Sequence, residues 1–398
     1  MTLRGLTWDH PRAYRPLQAF AAHRPDLAVS WDRQSLADFE AKPIAGLAQD
    51  YDLMIIDHPG LGAAIATGAL QPLDQFVPAG LLAQWQAAAV GPTWASYTMI
   101  ASTGPATMGP GITGPGIMGP GTMGAAQQWA VPVDAATQVS VFRPDLVAAP
   151  PRDWAGAPTF ARQHRTALCL GGPHALLTLL AMCAPDQPGP DLLPPSAAAA
   201  ALDILRAVWA VADQELSLAD PIAVHEALAA GTVAYCPLAY GYASYAQPTA
   251  GHHALAWADA PTFGAARPGS VLGGAGLAVS APRHPDRAEV RGFLTAFLAP
   301  DVQAGLAPAA GGQPAMAAAW DSAAVDRAWG GYYSSTRRSL DAAWVRPRAD
   351  GWIALQDRAS ALVRAVITGQ ASAHETITLI NASYRELTRP ERAEAGTT

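Results

Sequence analysis

Two identical tripeptides place acidic and imidazole side chains directly after predicted strands. Residues 9–11 and residues 57–59 both read Asp-His-Pro, and each tripeptide leads toward a helix. An acid or a histidine at this position caps the helix, and proline fits its first turn. Capping does not explain, however, why histidine occurs in both tripeptides. The same side chains would hydrogen-bond a polar ligand, and two histidines with two carboxylates would in principle satisfy a transition metal. Three roles stay open for them: helix cap, ligand contact and metal site.

Aromatic residues stand at the ends of other predicted strands. The chain has 12 tryptophans and 10 tyrosines, and Trp8, Tyr240 and Tyr242 lie at or just beyond strand ends. Aromatic faces stack on the apolar faces of sugar rings while Asp, His and Gln bond the hydroxyl groups, and small-molecule pockets are built in this way. A single aromatic residue is more often part of a core. The combination indicates a pocket for a small polar molecule.

Common enzyme signatures are missing from the sequence. It contains neither a GxSxG nucleophile elbow nor a P-loop. The glycine-rich residues 272–276 lack the GxGxxG spacing of a phosphate-binding turn, and they indicate a close approach of backbone to a ligand or a hinge. A binding protein is therefore favoured over an enzyme. The enzyme alternative is a hydrolase or transferase that uses Asp57, Asp134 and a histidine as acid and base.

The elements that position these residues alternate between strand and helix in the first half of the chain. Such β-α-β succession predicts a parallel sheet, and ligands then bind at the carboxyl ends of its strands. The predicted strands cover residues 3–8, 27–31, 51–57, 128–133 and 138–142, with another at 233–238. The predicted helices cover residues 11–23, 36–48, 196–212 and 221–230, and the tail from residue 286 to about 387 is mostly helical.

Length, charge and cysteine content limit the class of protein. A chain of 398 residues is too long for one ordinary core, so two lobes are expected. A net charge of -7 without a basic cluster argues against nucleic acid as a partner. No apolar stretch approaches the roughly 18 residues of a membrane span. Cys169, Cys183 and Cys236 are odd in number and are expected to be buried free thiols rather than a disulfide framework. No cofactor is predicted, and we expect a monomer.

A glycine- and proline-rich repeat of period five occupies residues 103–123. Its clearest units, at residues 109–113, 114–118 and 119–123, begin with Gly-Pro-Gly. Collagen needs glycine at every third residue, so the period excludes a collagen helix. Proline disfavours both helix and interior strand, which predicts a loop insertion. A flexible arm that recruits a partner, as in a scaffold protein, is the alternative.

Several segments, in order along nearly the whole chain, resemble the extracellular solute-binding proteins of ABC importers, specifically the large sugar-type family 1. The similar segments are residues 68–74 (GALQPLD), 129–139 (WAVPVDAATQV), 142–146 (FRPDL), 270–280 (SVLGGAGLAVS), 311–314 (GGQP, ahead of Trp320) and 346–347 (Arg-Pro, ahead of a helix at 352–366 and Gly369).

This resemblance implies a type II periplasmic-binding-protein fold: two α/β lobes, with mixed sheets flanked by helices, joined by a hinge. Lobe one would comprise residues 1–133 plus 271–318, with the repeat as its insertion, and lobe two residues 136–268 plus 320–398. Ligand would bind in the cleft and close the hinge. The residues implied to line the cleft are Trp8, His10, Asp57, His58, Asp134, Tyr240, Tyr242, Gly273, Gly274 and Gln313.

The implied function is capture of a small polar solute, a sugar or polyol, for an ABC permease in the membrane. The resemblance implies a periplasmic or extracellular location, although the first residues show no signal-peptide pattern. Because His10 and His58 are not typical of sugar binders, a metal or an anionic solute held by the Asp-His pairs is the alternative ligand. A carbohydrate-active enzyme is the remaining alternative.

Overall fold

The computed structural model describes residues 3–100, 125–184, 189–264 and 269–389. The predicted loop insertion at 103–123 therefore lies outside the described residues. Within the described residues, no helix is long and apolar enough to cross a membrane.

The strands are β1 (Arg4–Trp8), β2 (Ser30–Gln34), β3 (Leu53–Ile56), β4 (Leu70–Gln71), β5 (Thr98–Ile100), β6 (Ala126–Gln128), β7 (Ala130–Phe142), β8 (Tyr235–Tyr240), β9 (Ala256–Ala258) and β10 (Leu272–Ser280). The helices of the first half are α1 (Pro11–His23), α2 (Leu36–Ala41), α3 (Ile44–Leu47), α4 (Leu61–Ala66), α5 (Ala79–Ala88), α6 (Thr93–Ser96), α7 (Ala157–Gln163) and α8 (His174–Cys183). Those of the second half are α9 (Pro195–Trp209), α10 (Pro221–Ala230), α11 (Arg287–Phe297), α12 (Ala307–Ala309), α13 (Ala317–Trp320), α14 (Ala323–Ala328), α15 (Tyr332–Asp341), α16 (Trp352–Ile367) and α17 (Ala373–Leu387).

One continuous path of hydrogen-bonded strands runs through both halves of the molecule, in the order β2-β1-β3-β10-β7-β8. Strands β2, β1 and β3 are parallel, as the β-α-β pattern predicts, and β10 joins them antiparallel. Strand β7 is 13 residues long: its first part pairs with β10 and its second part with β8 and β9. The two long antiparallel strands β7 and β10 therefore connect the two halves.

Hydrophobic side chains form separate cores on either side of this crossing. In the first half, alternate residues of β3 face opposite sides of the sheet, so that Leu53 and Ile55 pack with α11 while Met54 and Ile56 pack with α4. We call this half lobe one; it contains β1–β6, α1–α6, α11 and α12. Lobe two contains β8, β9, α7–α10 and α13–α17, and its largest core joins α8, α9, α16 and α17. The lobe bounds 1–133 plus 271–318 and 136–268 plus 320–398 stay a prediction.

The hinge has a third chain segment beside β7 and β10. The backbone N–H of Ala135 donates to the carbonyl of Gln313 at 2.8 Å, and the N–H of Val90 donates to the carbonyl of Ala315 at 2.9 Å. Gly274 of β10 has a φ of +91°, which favours glycine, and a β-bulge follows it between Ala275 and Gly276. This irregularity bends β10 where it passes from one lobe to the other.

Most predicted elements are present, with several differences in their bounds. The helix predicted at 196–212 is α9, which ends at Trp209, and the strand predicted at 233–238 is β8 at Tyr235–Tyr240. The single helix predicted at 36–48 is wrong, because Pro43 ends one helix and α2 and α3 form in its place. The two strands predicted at 128–133 and 138–142 are one strand, β7. The strand predicted at 27–31 lies at Ser30–Gln34 instead, after a short 3-10 turn at Pro25–Leu27. The prediction of buried free thiols is confirmed for all three cysteines.

Candidate functional site

A cleft opens between the two lobes at the carboxyl ends of β1 and β3. It encloses about 1000 Å³ of empty space, part of it open to solvent. Lobe one contributes side chains from β1, α1, α2 and β3, lobe two contributes α8, α16 and the end of β8, and the hinge strands form the floor.

Seven of the ten predicted site residues line this cleft: Trp8, Asp57, Asp134, Tyr240, Tyr242, Gly273 and Gly274. The other three, His10, His58 and Gln313, lie outside its lining. The fold therefore brings residues from both halves of the chain to one place. That any of them contacts a ligand stays a prediction.

Aromatic rings line the cleft from both lobes. Trp8 packs against Phe39 of α2 with ring centroids 5.0 Å apart, which fixes one wall in lobe one. On the opposite side, the Tyr240 ring covers Gly273, where an added Cβ would lie only 2.6 Å from a ring carbon. Gly273 thus allows the tyrosine ring to lie flat on the hinge strand. The arrangement leaves aromatic surface facing the cleft from two directions.

A buried ion pair joins helix α1 to the hinge strand at the cleft floor. Nε of Arg12 donates to Oδ2 of Asp134 at 2.8 Å, and Nη2 donates to the other carboxylate oxygen. Both side chains are less than a tenth exposed. Burial alone would lower the pKa of Arg12, but the Asp134 carboxylate outweighs it and raises that pKa.

The same guanidinium reaches across to lobe two. Nη1 of Arg12 donates to the carbonyl oxygen of Gly241 at 3.0 Å, and its Cζ lies 4.8 Å from the centroid of the Tyr242 ring. Arg12 therefore contacts lobe one, the hinge and lobe two at once. It holds Tyr242 against the cleft floor through a cation–π contact.

A second ion pair closes the other side of the cleft. Nη2 of Arg346 donates to the two carboxylate oxygens of Asp57 at 2.8 and 2.7 Å. Burial alone would raise the pKa of Asp57, but Arg346 brings it down to about 2, so the carboxylate stays ionised at neutral pH. Two residues on, Nη1 of Arg348 donates to the carbonyls of Ala95, Ser96 and Thr98 in lobe one. The segment before α16 is thus bound to lobe one.

The predicted histidines serve the protein interior. Nδ1 of His10 accepts from the N–H of Arg12 at 3.1 Å and caps α1, and its ring meets the Tyr242 ring edge-on at 4.9 Å. The His58 ring is fully buried against Tyr97, with Nδ1 3.3 Å from Asp57. Burial lowers the pKa of each histidine to about 4, so both are neutral at pH 7. Among the described residues, no group of three or more His, Cys, Asp or Glu side chains is placed to hold a metal ion.

Gln313 lies beside the hinge rather than in the cleft. Its Nε2 lies within hydrogen-bond distance of the Ala135 and Gly241 carbonyls and of the Tyr332 hydroxyl, at 3.0–3.3 Å. Its Oε1 accepts from the N–H of Ala243 at 2.8 Å. The amide is therefore fully engaged with protein atoms, and it ties the third hinge segment to lobe two.

Five cleft residues of obvious importance were not predicted from the sequence: Arg12, Glu40, His174, Arg346 and Gln356. Arg12 follows one Asp-His-Pro tripeptide directly, so the signal that marks His10 also marks the first turn of α1. Arg346 belongs to a segment recognised only for its resemblance to a family pattern. His174 and Gln356 carry no local signal, since they enter the cleft only because α8 and α16 pack together.

Among the carboxylates that line the cleft, Glu40 has a pKa that is raised into the neutral range. Burial raises its pKa to about 7, and Asp57 adds to the rise. The folded protein thus binds this proton more tightly than an unfolded chain, in which the pKa is near the ordinary 4.5. Between those two values the folded state holds more protons, so the free energy of unfolding falls as pH rises.

We expect Glu40→Gln to raise the free energy of unfolding at pH 8 by about 1–2 kcal/mol and to change it little at pH 5. At pH 5 the wild-type carboxyl is protonated and resembles the amide, whereas at pH 8 it carries a charge in a half-buried position. Urea unfolding of both proteins at both pH values measures the difference. Asp50→Asn removes an equal charge from an exposed position as the control. An equal gain at both pH values would contradict the assignment.

The chain has the fold of the two-lobed periplasmic binding proteins. It is similar to the maltose-bound MalE3 of T. maritima, with 17% identity and a TM-score of 0.73 over 97% of this chain and 99% of that one. It is also similar to the GacH receptor of Streptomyces glaucescens GLA.O, solved unliganded and with acarbose or an acarbose homologue, with 18% identity and a TM-score of 0.73 over 98% and 99%.

A third similar structure is an ABC transporter solute-binding protein of Agrobacterium radiobacter K84 in complex with ribitol. Its identity is 16% and its TM-score 0.70, over 97% of this chain and 98% of that one. No protein-family model matches the sequence, and no curated protein matches it either. The predicted fold class is thereby confirmed, since the similarity covers both lobes.

Proposed function

We propose that this protein is the solute-binding component of an ABC importer and captures a hydroxylated small molecule, a sugar or a polyol, by closing its two lobes. The observation that carries the proposal is the interlobe cleft itself, lined by Trp8 and Asp57 from one lobe and Tyr240 from the other. A ligand that contacts both lobes stabilises their closed arrangement through contacts that only this arrangement provides. In this mechanism the protein binds the ligand and releases it chemically unchanged.

The charge pattern of the cleft supports a hydroxylated ligand over an anion. Arg12 is engaged by Asp134 and Arg346 by Asp57, so neither guanidinium offers its full charge to an anionic solute. A carboxylate or phosphate would meet guanidinium groups that are already neutralised by Asp134 and Asp57, so its own charge would stay uncompensated. Hydroxyl groups both donate and accept, and they fit beside intact ion pairs.

The similar solved structures support the same class of ligand. They were solved with maltose, with acarbose or an acarbose homologue, and with ribitol. By the same analogy, the partner would be a membrane permease and the location periplasmic or extracellular. We also propose the lobe bounds predicted from the sequence, and we propose that the seven predicted residues in the cleft bind the ligand.

A thermal-shift screen against sugars, polyols, amino acids, organic acids and divalent metals tests the proposal. A ligand that binds only the folded protein stabilises it by about 2.7 kcal/mol at one hundred times its dissociation constant. We expect a saturable rise in the unfolding temperature with a sugar or polyol. A rise with metal ions alone would favour the alternative, and turnover of a bound saccharide would favour an enzyme.

Tyr240→Ala should weaken binding of the screened sugar or polyol roughly tenfold or more, because it removes an aromatic face from lobe two. Isothermal titration calorimetry measures the change. Tyr14→Ala is the matched control, since Tyr14 stacks on Arg33, whose Cζ lies 3.5 Å from the ring centroid, away from the cleft lining. Equal losses in the two variants would show that Tyr240 affects the fold and not the ligand.

A further inference from the structure

Glu40 of α2 upsets the charge balance of the cleft. The Asp134 carboxylate is neutralised by Arg12 and that of Asp57 by Arg346. Among the described residues, no hydrogen bond or ion pair engages the Glu40 side chain, although it lines the cleft. When ionised, Glu40 is therefore the cleft carboxylate that lacks a cationic partner among the described residues. An uncompensated charge of this kind is costly when the lobes close over it.

Lys42 does not supply the missing positive charge. It lies at the edge of the cleft, half exposed, with Nζ 3.0 Å from Oδ2 of Asp38. His174, the imidazole of the cleft, has its pKa lowered by burial to about 3 and is neutral at pH 7. Neither residue is therefore a partner for the carboxylate.

The surroundings of Glu40 are acidic on both sides of the cleft. Asp57 approaches from lobe one, and Asp220 at the start of α10 and Asp357 on α16 act from lobe two; each raises the pKa of Glu40, and Arg346 alone opposes them. The neighbours Pro221 and Gln356 line the cleft directly. The ionised Glu40 carboxylate is therefore repelled by acids of both lobes. A cation between them would favour closure.

Three buried polar atoms on side chains that line the cleft have no hydrogen-bond partner among the described residues. Gln356 is only 5% exposed and its Oε1 has no hydrogen-bond partner among the described residues. Nδ1 of His174 and Nε of Arg346 also lack a hydrogen-bond partner among the described residues, and the His174 residue is 3% exposed. All three side chains line the cleft. Such atoms cost free energy until a ligand pairs with them.

We propose that the ligand carries a protonated amine together with its hydroxyl groups, as an amino sugar or amino polyol does, and that Glu40 binds the ammonium group. Hydroxyl groups of the same molecule then pair with Gln356, His174 and Nε of Arg346. The inference rests on the proposed function and names the ligand class for that site. An ammonium group donates to the carboxylate and neutralises it, which a neutral sugar does not do.

The experiment compares matched neutral and amino ligands by calorimetry. The pairs are sorbitol with 1-amino-1-deoxysorbitol and glucose with glucosamine, and N-acetylglucosamine serves as the uncharged derivative. We expect 1-amino-1-deoxysorbitol to bind at least about tenfold tighter than sorbitol at pH 8, as close charge-assisted pairing does. Glucosamine, whose less basic amine is only partly protonated at pH 8, should show a smaller gain over glucose. Glu40→Gln should abolish that preference. Asp50→Asn, which removes an exposed charge, should retain it.

The pH dependence of the wild-type protein gives a second measurement that needs no variant. A primary alkylamine stays protonated from pH 6 to 8, whereas the Glu40 carboxyl, with its pKa of about 7, ionises across that range. Affinity for 1-amino-1-deoxysorbitol should therefore rise about tenfold from pH 6 to pH 8. Affinity for sorbitol should stay flat.

Three outcomes would overturn the inference in distinguishable ways. Equal binding of neutral and amino ligands, flat with pH, would remove the role of Glu40 and leave the proposed function in place. No binding by any member of the pairs would count against both. Retention of the amino preference in Glu40→Gln would assign the ammonium group to a different acid.

Discussion

Replacing Asp134 by alanine lowers the free energy of unfolding by about 3–5 kcal/mol, the loss expected when one partner of a buried ion pair is removed. Within the described part of the chain, the carboxylate is the sole acidic partner of the Arg12 guanidinium, which is almost fully buried between α1 and the hinge. Without it, the guanidinium keeps its contacts with the Gly241 carbonyl and the Tyr242 ring, neither of which carries a charge. A charge so placed cannot return to water without separating the lobes at the cleft floor.

Urea unfolding measures this loss, and a paired substitution separates its causes. The double variant Arg12→Met and Asp134→Leu removes both charges and keeps apolar volume, so it should lose much less than Asp134→Ala alone. Asp26→Asn is the control, because its ion pair with Arg24 is exposed and worth about 0–1 kcal/mol. A double variant as unstable as the single one would mean that packing, and not charge, determines the effect.

The fold was predictable because its signals are local. Helix α1 begins at Pro11 and α10 at Pro221, both at positions where proline favours a first turn, and their predicted bounds agree with the structure. The apolar run of β3 between two acids marks a buried strand. The errors also have local causes: Pro43 divides a periodic helical pattern, and β7 reads as two strands because Asp134 interrupts its apolar run.

The cleft was predictable only in part, because its chemistry depends on partners far apart in the chain. Asp134 was identified, but Arg12 lies 122 residues away from it, and no spacing rule connects them. Asp57 was identified, but Arg346 lies 289 residues away. The sequence therefore identified acids whose charges are mostly neutralised, and it missed Glu40, whose charge is not.

The two Asp-His-Pro tripeptides show why residue type alone does not place a side chain. Asp57 faces the cleft, whereas the adjacent His58 begins a 3-10 turn and packs inside lobe one against Tyr97. In the first tripeptide, His10 is the cap of α1 and Asp9 is exposed. Each tripeptide caps a helical turn, and that geometry directs the two histidines away from any shared site.

Gly274→Ala should destabilise the protein by roughly 3 kcal/mol or more. A φ of +91° costs an L-residue about 1–2 kcal/mol by itself. In addition, the new Cβ would lie 2.3 Å from the carbonyl oxygen of Asp134 and 2.9 Å from its carbonyl carbon, and backbone atoms cannot rotate away as a side chain can. Strands β7 and β10 must then separate at the hinge.

Thermal and urea unfolding of Gly274→Ala measure this effect against Gly80→Ala. Gly80 lies in α5 with no atom within 4 Å of an added Cβ, so alanine there should be neutral or stabilise by up to about 1 kcal/mol. Equal stability of the two variants would show that the bulge after Gly274 absorbs the methyl group.

The effect of Gly274→Ala should also couple to the ion pair. If the added methyl group displaces Asp134, it weakens the contact with Arg12 before Asp134 is mutated at all. The combined variant Gly274→Ala and Asp134→Ala should then lose less than the sum of the single losses, as neighbouring sites do. Additive losses would mean that β10 moves to accommodate the methyl group while β7 stays in place. The ion pair between Arg12 and Asp134 would then be kept, and the two sites would contribute independently to the free energy of unfolding.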